Sequence, residues 1–456
     1  MRHGTRTRTA ILLITAAVVL TATVPGVFAD KRHYAVLSNE QALHMLDQIE
    51  SDIREYYFDP SLGGTDLSKA FSEARTQIAA AHSQDEALIQ IAGAVDAMRD
   101  SHTRFVPPER PYTVDSGFAF KAIGDSACYV TAVRPGSDAE AKGLKPGDQI
   151  ISINNVRLAR QDINTIRFGY RVFPQSGFHL NVRSPAESPK SLVVMTKVIP
   201  GQLQITNADV RAWVRSHPSQ SDRERSLRQG NESKFFQIDK KILFWKLPSF
   251  AIDPHDLDDQ VRRSHSFEYL VLDLRGNTGG RTDALRGFLG EFFDHDVTFA
   301  SEQRRKDTKP MVAKTHGKSG FQGKLIVLID SDTASAAEIF TRTIQLEKRG
   351  TVLGDLSSGR VMESQRFVHA VPLDQENVTD YGATVTVARL VMSDGKSLEG
   401  VGVMPDERII PTPEDLASGR DPVLARAATL AGVDISPEKA GTLFPFQWEG
   451  GPVIID

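Results

Sequence analysis

Ile329-Asp330-Ser331-Asp332-Thr333-Ala334-Ser335-Ala336-Ala337-Glu338-Ile339-Phe340 joins two kinds of periodicity. The run that leads into it, Lys324-Leu325-Ile326-Val327-Leu328-Ile329, is continuously apolar after its lysine and reads as a buried strand. From Ala336 to Leu346 the pattern is helical. A turn of small polar residues between strand and helix exposes a side chain at the strand end. It also aims free backbone N–H groups at whatever binds there. Ser335 stands where the turn becomes helix, which by itself reads first as an ordinary N-cap and second as a presented nucleophile.

A second strand end carries an unusual turn. Tyr269-Leu270-Val271-Leu272-Asp273-Leu274 runs into Arg275-Gly276-Asn277-Thr278-Gly279-Gly280, with a helix expected over Thr282 to Phe293. Loops at strand carboxyl ends of an α/β sheet converge on one site. A nucleophilic serine needs preorganised N–H donors for the oxyanion, and glycines let a carbonyl approach them. Gly279 or Gly280, with the N–H of Ala336, would serve. A phosphate cradle is the other use of a glycine loop, but the Walker lysine and the dinucleotide spacing are both absent. Lys241 to Leu247, Thr351 to Gly354 and Thr384 to Ala388 complete the expected strands.

From Asn39 to about Asp100 the spacing predicts helices. Leu43, Leu46, Ile49 and Ile53 recur on one face, and Phe58 to Gly64 is a break. The stretch ends in Asp100-Ser101-His102-Thr103-Arg104-Phe105, closed by Pro107-Pro108. By itself His102 fits a cap, a core residue or a base.

Of the 456 residues 40% are hydrophobic and 25% charged, with net charge −4. That balance points away from nucleic acid and polybasic membrane surfaces. Met1 to Arg8 holds three arginines, Ala10 to Val24 is almost wholly apolar, and Val27-Phe28-Ala29 precedes Asp30 as a cleavage site would. Residues 1–29 therefore read as a secretory signal, and no later segment reads as a membrane span. Cys128 is the sole cysteine, so an intramolecular disulfide is excluded. Together these point to an exported bacterial protein, periplasmic or secreted. No cofactor is expected, and no metal, because the histidines are scattered without His-Glu-x-x-His spacing.

Residues 112–200 are β-rich, and Gly143-Leu144-Lys145-Pro146-Gly147-Asp148-Gln149-Ile150 before a strand resembles the PDZ domains of bacterial envelope proteases. Gly117-Phe118-Ala119-Phe120 is similar to the PDZ carboxylate-binding loop, which implies capture of a peptide C-terminus and strand addition beside it. The polar, irregular stretch near 215–233 reads as a surface insertion, with His217 inside it.

The order of a helical region, a PDZ module, the glycine loop, the serine turn and Gly400-Val401-Gly402-Val403-Met404-Pro405-Asp406 resembles the C-terminal processing peptidases and their tricorn-type relatives. The resemblance implies a multidomain α+β protein: an N-terminal helical region (30–108), a PDZ domain (112–200), an α/β peptidase core of the ClpP/crotonase-like type (202–433) and a tail (434–456). It implies a serine endopeptidase of proteins or peptides, engaged through their C-termini, with Ser335 as nucleophile. One departure matters. Arg360 in Gly359-Arg360-Val361 falls where the processing branch has its lysine base, and an arginine stays charged in proteins. His102 then becomes the expected base, as in the tricorn-type branch, with Ser101 and Asp100 able to tune it and Glu363 the first candidate to orient it. Lys396 is a weaker candidate base. The rival readings are a catalytically inactive PDZ-containing peptide-binding scaffold and a retinoid- or lipid-binding relative.

Overall fold

The computed structural model describes residues 37–110, 112–200, 232–373, 378–446 and 448. The expected signal, His217 and all but the last two residues of the polar insertion lie outside these residues. Three amphipathic helices come first: α1 (Asn39–Tyr56), α2 (Leu67–Ala79) and α3 (Gln84–Asp96). Each starts at a capping side chain, Ser38, Asp66 or Ser83, that accepts the N–H three residues on. Met45, Leu46, Ile49 and Ile53 of α1 close with Phe71 of α2 and Leu88, Ile91 and Val95 of α3 over one apolar core, with Leu43 partly buried at its margin. The chain then turns through Asp100–Thr103 into β1 (Arg104–Val106).

The next module holds β2 (Tyr112–Asp115), β3 (Phe118–Ile123), β4 (Ala127–Val133), α4 (Asp138–Ala141), β5 (Gln149–Ile153), β6 (Val156–Arg157), α5 (Ile163–Val172), β7 (Gly177–Arg183), β8 (Lys190–Met195) and β9 (Lys197–Pro200). Its sheet runs β3-β4-β5-β7-β8, which leaves β3 at an edge. The Gly143–Ile150 motif builds the turn into β5: Leu144 and Asp148 are buried, and Lys145 N–H donates to Asp148 Oδ2 at 3.0 Å. Entry and exit strands pair with each other, Tyr112 opposite Pro200 and Asp115 opposite Lys197, so both ends of the module hang from one ribbon.

The core contains β10 (Lys234–Ile238), β11 (Ile242–Lys246), α6 (Pro254–Val261), β12 (Tyr269–Asp273), α7 (Thr282–Gly290), β13 (Val297–Gln303), β14 (Thr308–Ala313), β15 (Lys324–Ile329), α8 (Ala336–Leu346), β16 (Gly350–Gly354), β17 (Met362–Pro372), β18 (Val378–Met392), β19 (Glu407–Arg408), α9 (Pro413–Ala417), α10 (Pro422–Leu430) and α11 (Pro437–Gly441). One sheet runs β10-β11-β12-β15-β16-β19, parallel from β11 onward. Leu325, Val327 and Ile329 face the helices α6, α7 and α8, while Ile326 and Leu328 face α10. Both faces of β15 are covered, which is why its sequence is apolar at every position after Lys324.

A second sheet runs β1-β18-β13-β14, with β17 also on β18. Tyr381, Ala383 and Val385 of β18 are buried in the helical region's core, and β1 pairs with the same strand, Arg104 opposite Thr384. That strand fixes the His102 turn to the α/β core. Two expectations need correction. The helix expected to Phe293 stops at Gly290, where a Cβ would lie 2.0 Å from Lys314 O. Residues 434–446 are no loose tail, because Ala440, Leu443 and Phe444 pack against the sheet.

Candidate active site

The serine turn and the glycine loop are bonded to each other. Ala334 N–H donates to Asn277 O at 2.9 Å, and Gly276 N–H to Asp330 Oδ1 at 2.9 Å. Ser335 has φ 53° and ψ −121°, a sparsely populated conformation that costs about 1–3 kcal/mol and persists only where the surroundings over-determine it. Here they do. Ser335 N–H is held by Arg360 O at 2.9 Å and by Glu338 Oε2 at 3.1 Å. Glu338 also accepts Gly359 N–H at 2.8 Å, Arg360 N–H at 2.9 Å and the Ser357 hydroxyl, so one buried carboxylate stitches the helix start to the 357–360 loop. Burial pushes this carboxyl up to about 7, opposed by those four donors.

Gly279 must be glycine. Its φ is +99°, and a Cβ there would stand 2.6 Å from Ser335 Cβ. Its own N–H is spent on Asn277 Oδ1 at 2.8 Å. The expected donor set therefore narrows: the Gly280 N–H and the Ala336 N–H, an orphan at the first position of α8, remain for an oxyanion.

The histidine turn is equally fixed. Asp100 accepts the N–H groups of His102 at 2.8 Å and Thr103 at 2.6 Å, and the hydroxyls of Thr103 and Thr386, each at 2.8 Å. Thr384 Oγ1 donates to His102 O at 2.6 Å. His102 Nδ1 lies 2.6 Å from Ser101 Oγ, which donates to Glu399 Oε2 at 2.9 Å. Glu399 further accepts Ser101 N–H at 2.9 Å and Val361 N–H at 2.7 Å. An ionised Glu399 can only accept, so the Ser101 hydroxyl gives it its proton and has lone pairs alone for His102. Nδ1 therefore carries the ring hydrogen, and Nε2 is left as an acceptor.

Arg360 and Val361 connect the two turns: Ser335 binds the carbonyl of one residue and Glu399 the N–H of the next. Burial, reinforced by the Arg360 guanidinium, pushes the His102 imidazole down to about 3. Burial also raises the Glu399 carboxyl, opposed by its Val361 and Ser101 donors.

Other expected residues fall elsewhere. Glu363 lies on β17 beside Arg304, 3.9 Å away, and feels Glu302 and Arg286; none of these belongs to the histidine turn. Glu399 takes the place expected of Glu363. It sits directly before Gly400-Val401-Gly402, a motif visible in the sequence. Lys396 is exposed in the turn after β18, its carbonyl accepting Met392 N–H at 2.8 Å. In the carboxylate-loop stretch Gly117 to Phe120, Gly117 N–H is taken by Asp115 Oδ1 at 2.9 Å. Beside it the β3 edge is occupied. Arg167 donates to Phe120 O, and Ser331 Oγ, from the serine turn itself, donates to Ala122 O at 2.6 Å. Lys121 pairs with Asp330 at 2.7 Å and Arg167 with Asp332 at 2.8 Å. In this arrangement the edge expected to take a peptide strand is bonded within the chain.

Residues 241–409 match the family model described as Peptidase family S41, and residues 112–167 match the PDZ domain. These two segments are similar, in this order, to an S41 peptidase domain and to the PDZ domain that precedes it in the chain. It is 24% identical over 281 residues to the carboxyl-terminal-processing protease of Synechocystis sp., covering 61% of this chain and 58% of that protein. The chloroplastic carboxyl-terminal-processing peptidase 1 of Arabidopsis thaliana is 23% identical over 335 residues, 70% of this chain and 62% of that one. The chain thus spans about three fifths of the length of these curated relatives. Mature CPAF shares the fold with a TM-score of 0.59 at 13% identity, over 83% of this chain and 94% of that one. Among the described residues no helix is long and apolar enough to cross a membrane.

Proposed function

We propose that this protein is a serine endopeptidase that hydrolyses peptide bonds in proteins or peptides through an acyl-enzyme on Ser335. The observation that carries the reading is the chain His102 Nδ1–Ser101 Oγ–Glu399, anchored at Val361 beside the residue that holds Ser335. In this mechanism the bare Nε2 of His102 takes the Ser335 hydroxyl proton as Oγ attacks the scissile carbonyl. Gly280 N–H and Ala336 N–H receive the oxyanion. The imidazolium then protonates the leaving amine, and water, deprotonated by the same ring, hydrolyses the ester. Ser101 and Glu399 position the ring and hold its tautomer. The arginine-rich, apolar leader supports export, and the PDZ module supports engagement of substrate C-termini once its edge is released.

The test is labelling of the purified chain by a fluorophosphonate probe, with peptide mapping of the adduct. The expected adduct is on Ser335, absent from Ser335→Ala. An unlabelled, folded protein without peptide hydrolysis overturns the reading in favour of the inactive scaffold.

A further inference from the structure

Two arginines at this site make no ion pair among the described residues. Arg360, whose backbone binds Ser335 and Glu338, makes no side-chain hydrogen bond or ion pair among the described residues, and its Nε is buried without a partner. Arg104, three residues from the Ser101 carbonyl that its Nε binds at 2.8 Å, has no carboxylate within ion-pair distance either. Each guanidinium is pushed down by burial, and Arg104's charge adds to the effect on Arg360.

Asp96 offsets part of the Arg104 charge, and the other nearby carboxylates are committed elsewhere. Glu338 is taken by the serine turn and the 357–360 loop, and Glu399 by Ser101 and Val361. Asp100 is taken by its own turn and Thr386, and Asp332 by Arg167. A part-buried Arg360 guanidinium with no hydrogen-bond or ion-pair partner among the described residues, and a second cation near it, form a receptor for an anion from outside.

We propose that Arg360, with Arg104 near it, receives a carboxylate of the substrate next to the scissile bond, so that the site selects peptides with an acidic side chain or a free chain terminus there. The inference rests on the peptidase reading and names its substrate class. It also explains why an arginine can stand where a base was expected. A planar fork suits carboxylate recognition and cannot compete with the histidine for a proton. Binding has a second effect. His102 faces Asp100, Arg104 and Arg360, and reaches Glu399 through Ser101. A carboxylate seated on Arg360 cancels part of the positive field there, so the ring becomes a stronger base when the preferred substrate is bound.

The experiment uses the full chain and pairs of fluorescein-labelled decapeptides that differ by Glu against Gln at each position flanking the cleaved bond, or by terminal acid against amide. Wild type is expected to favour the carboxylate member about tenfold to a hundredfold in kcat/KM. Arg360→Gln should bring the ratio near one and move the acid limb of the pH profile upward, and Arg360→Lys should restore part of the preference. The same pairs are titrated by anisotropy against Ser335→Ala and Ser335→Ala/Arg360→Gln, which need no turnover. The Glu/Gln pairs report a side-chain carboxylate, and the acid/amide pairs a terminal one. Equal binding of every pair by Ser335→Ala, or a preference that survives Arg360→Gln, overturns the inference. Discrimination in binding that Arg360→Gln erases, in a wild type without hydrolysis, overturns the peptidase reading alone.

Discussion

Ser335 begins a helix, and so do Ser38, Ser83, Ser137 and Ser436, but the resemblance ends at the backbone. The four ordinary caps are extended, with φ between −149° and −67°, and each side chain accepts the N–H three residues on. Ser335 has φ 53°. An ordinary cap is a local arrangement, complete within one turn of helix. Ser335 is held by Glu338 within its own first turn and also from a distance, by Arg360 O and by the close approach of Gly279. The first kind of serine stabilises its helix. The second is kept in a conformation its own residue type resists, which supports the reading of a side chain aimed at a task.

The largest effect that could break this contrast belongs to Ser335→Ala. Hydrolysis should fall roughly a thousandfold or more, with His102→Ala nearly as damaging, while thermal melting stays close to wild type. Gly279→Ala comes next: the added Cβ must displace Ser335, so activity should vanish together with about 1–3 kcal/mol of stability in urea unfolding. Glu399→Gln should lower kcat by roughly a hundredfold with KM little changed, because it acts on the ring and not on the substrate. Glu363→Gln should stay within about twofold of wild type, and equal losses at the two positions would sink the positioning assignment.

The pH profile sharpens the same point. A depressed imidazole keeps its base form to lower pH, so the ring should contribute no fall in kcat/KM from neutrality to about pH 5. Because the Glu338 carboxyl is pushed up to about 7, only a fall centred near 6.5 that persists in Glu338→Gln would show an unperturbed ring. Smallest is Ser38→Ala, expected to cost about 1 kcal/mol of stability and no activity.

Much of this was legible in the chain. The boundaries of β15 and α8 follow directly from an unbroken apolar run and a 3.6-residue period. Ser335, the glycine loop and the histidine turn could be found because each sits where a regular pattern stops. Glu399 could not be found that way: it lies in a loop with no period of its own, and its partner Ser101 is 298 residues away. Glu363 follows Arg360 by only three residues, but strand β17 carries it across to Arg304, with a bulge between Glu363 and Ser364. Nearness in sequence says little once a strand alternates its faces. The occupied β3 edge was also illegible, because only the docked module brings Ser331 against Ala122.

The span from Ser101 to Glu399 bears on how the chain acquires its structure. Contacts so distant in sequence carry a large loop-closure cost and are made late in folding. The histidine turn is synthesised early, yet its anchor arrives nearly three hundred residues later. A partly folded chain therefore holds its serine and its histidine without the geometry that joins them. On the peptidase reading, such a chain lacks the means to cut itself or its neighbours until that contact forms.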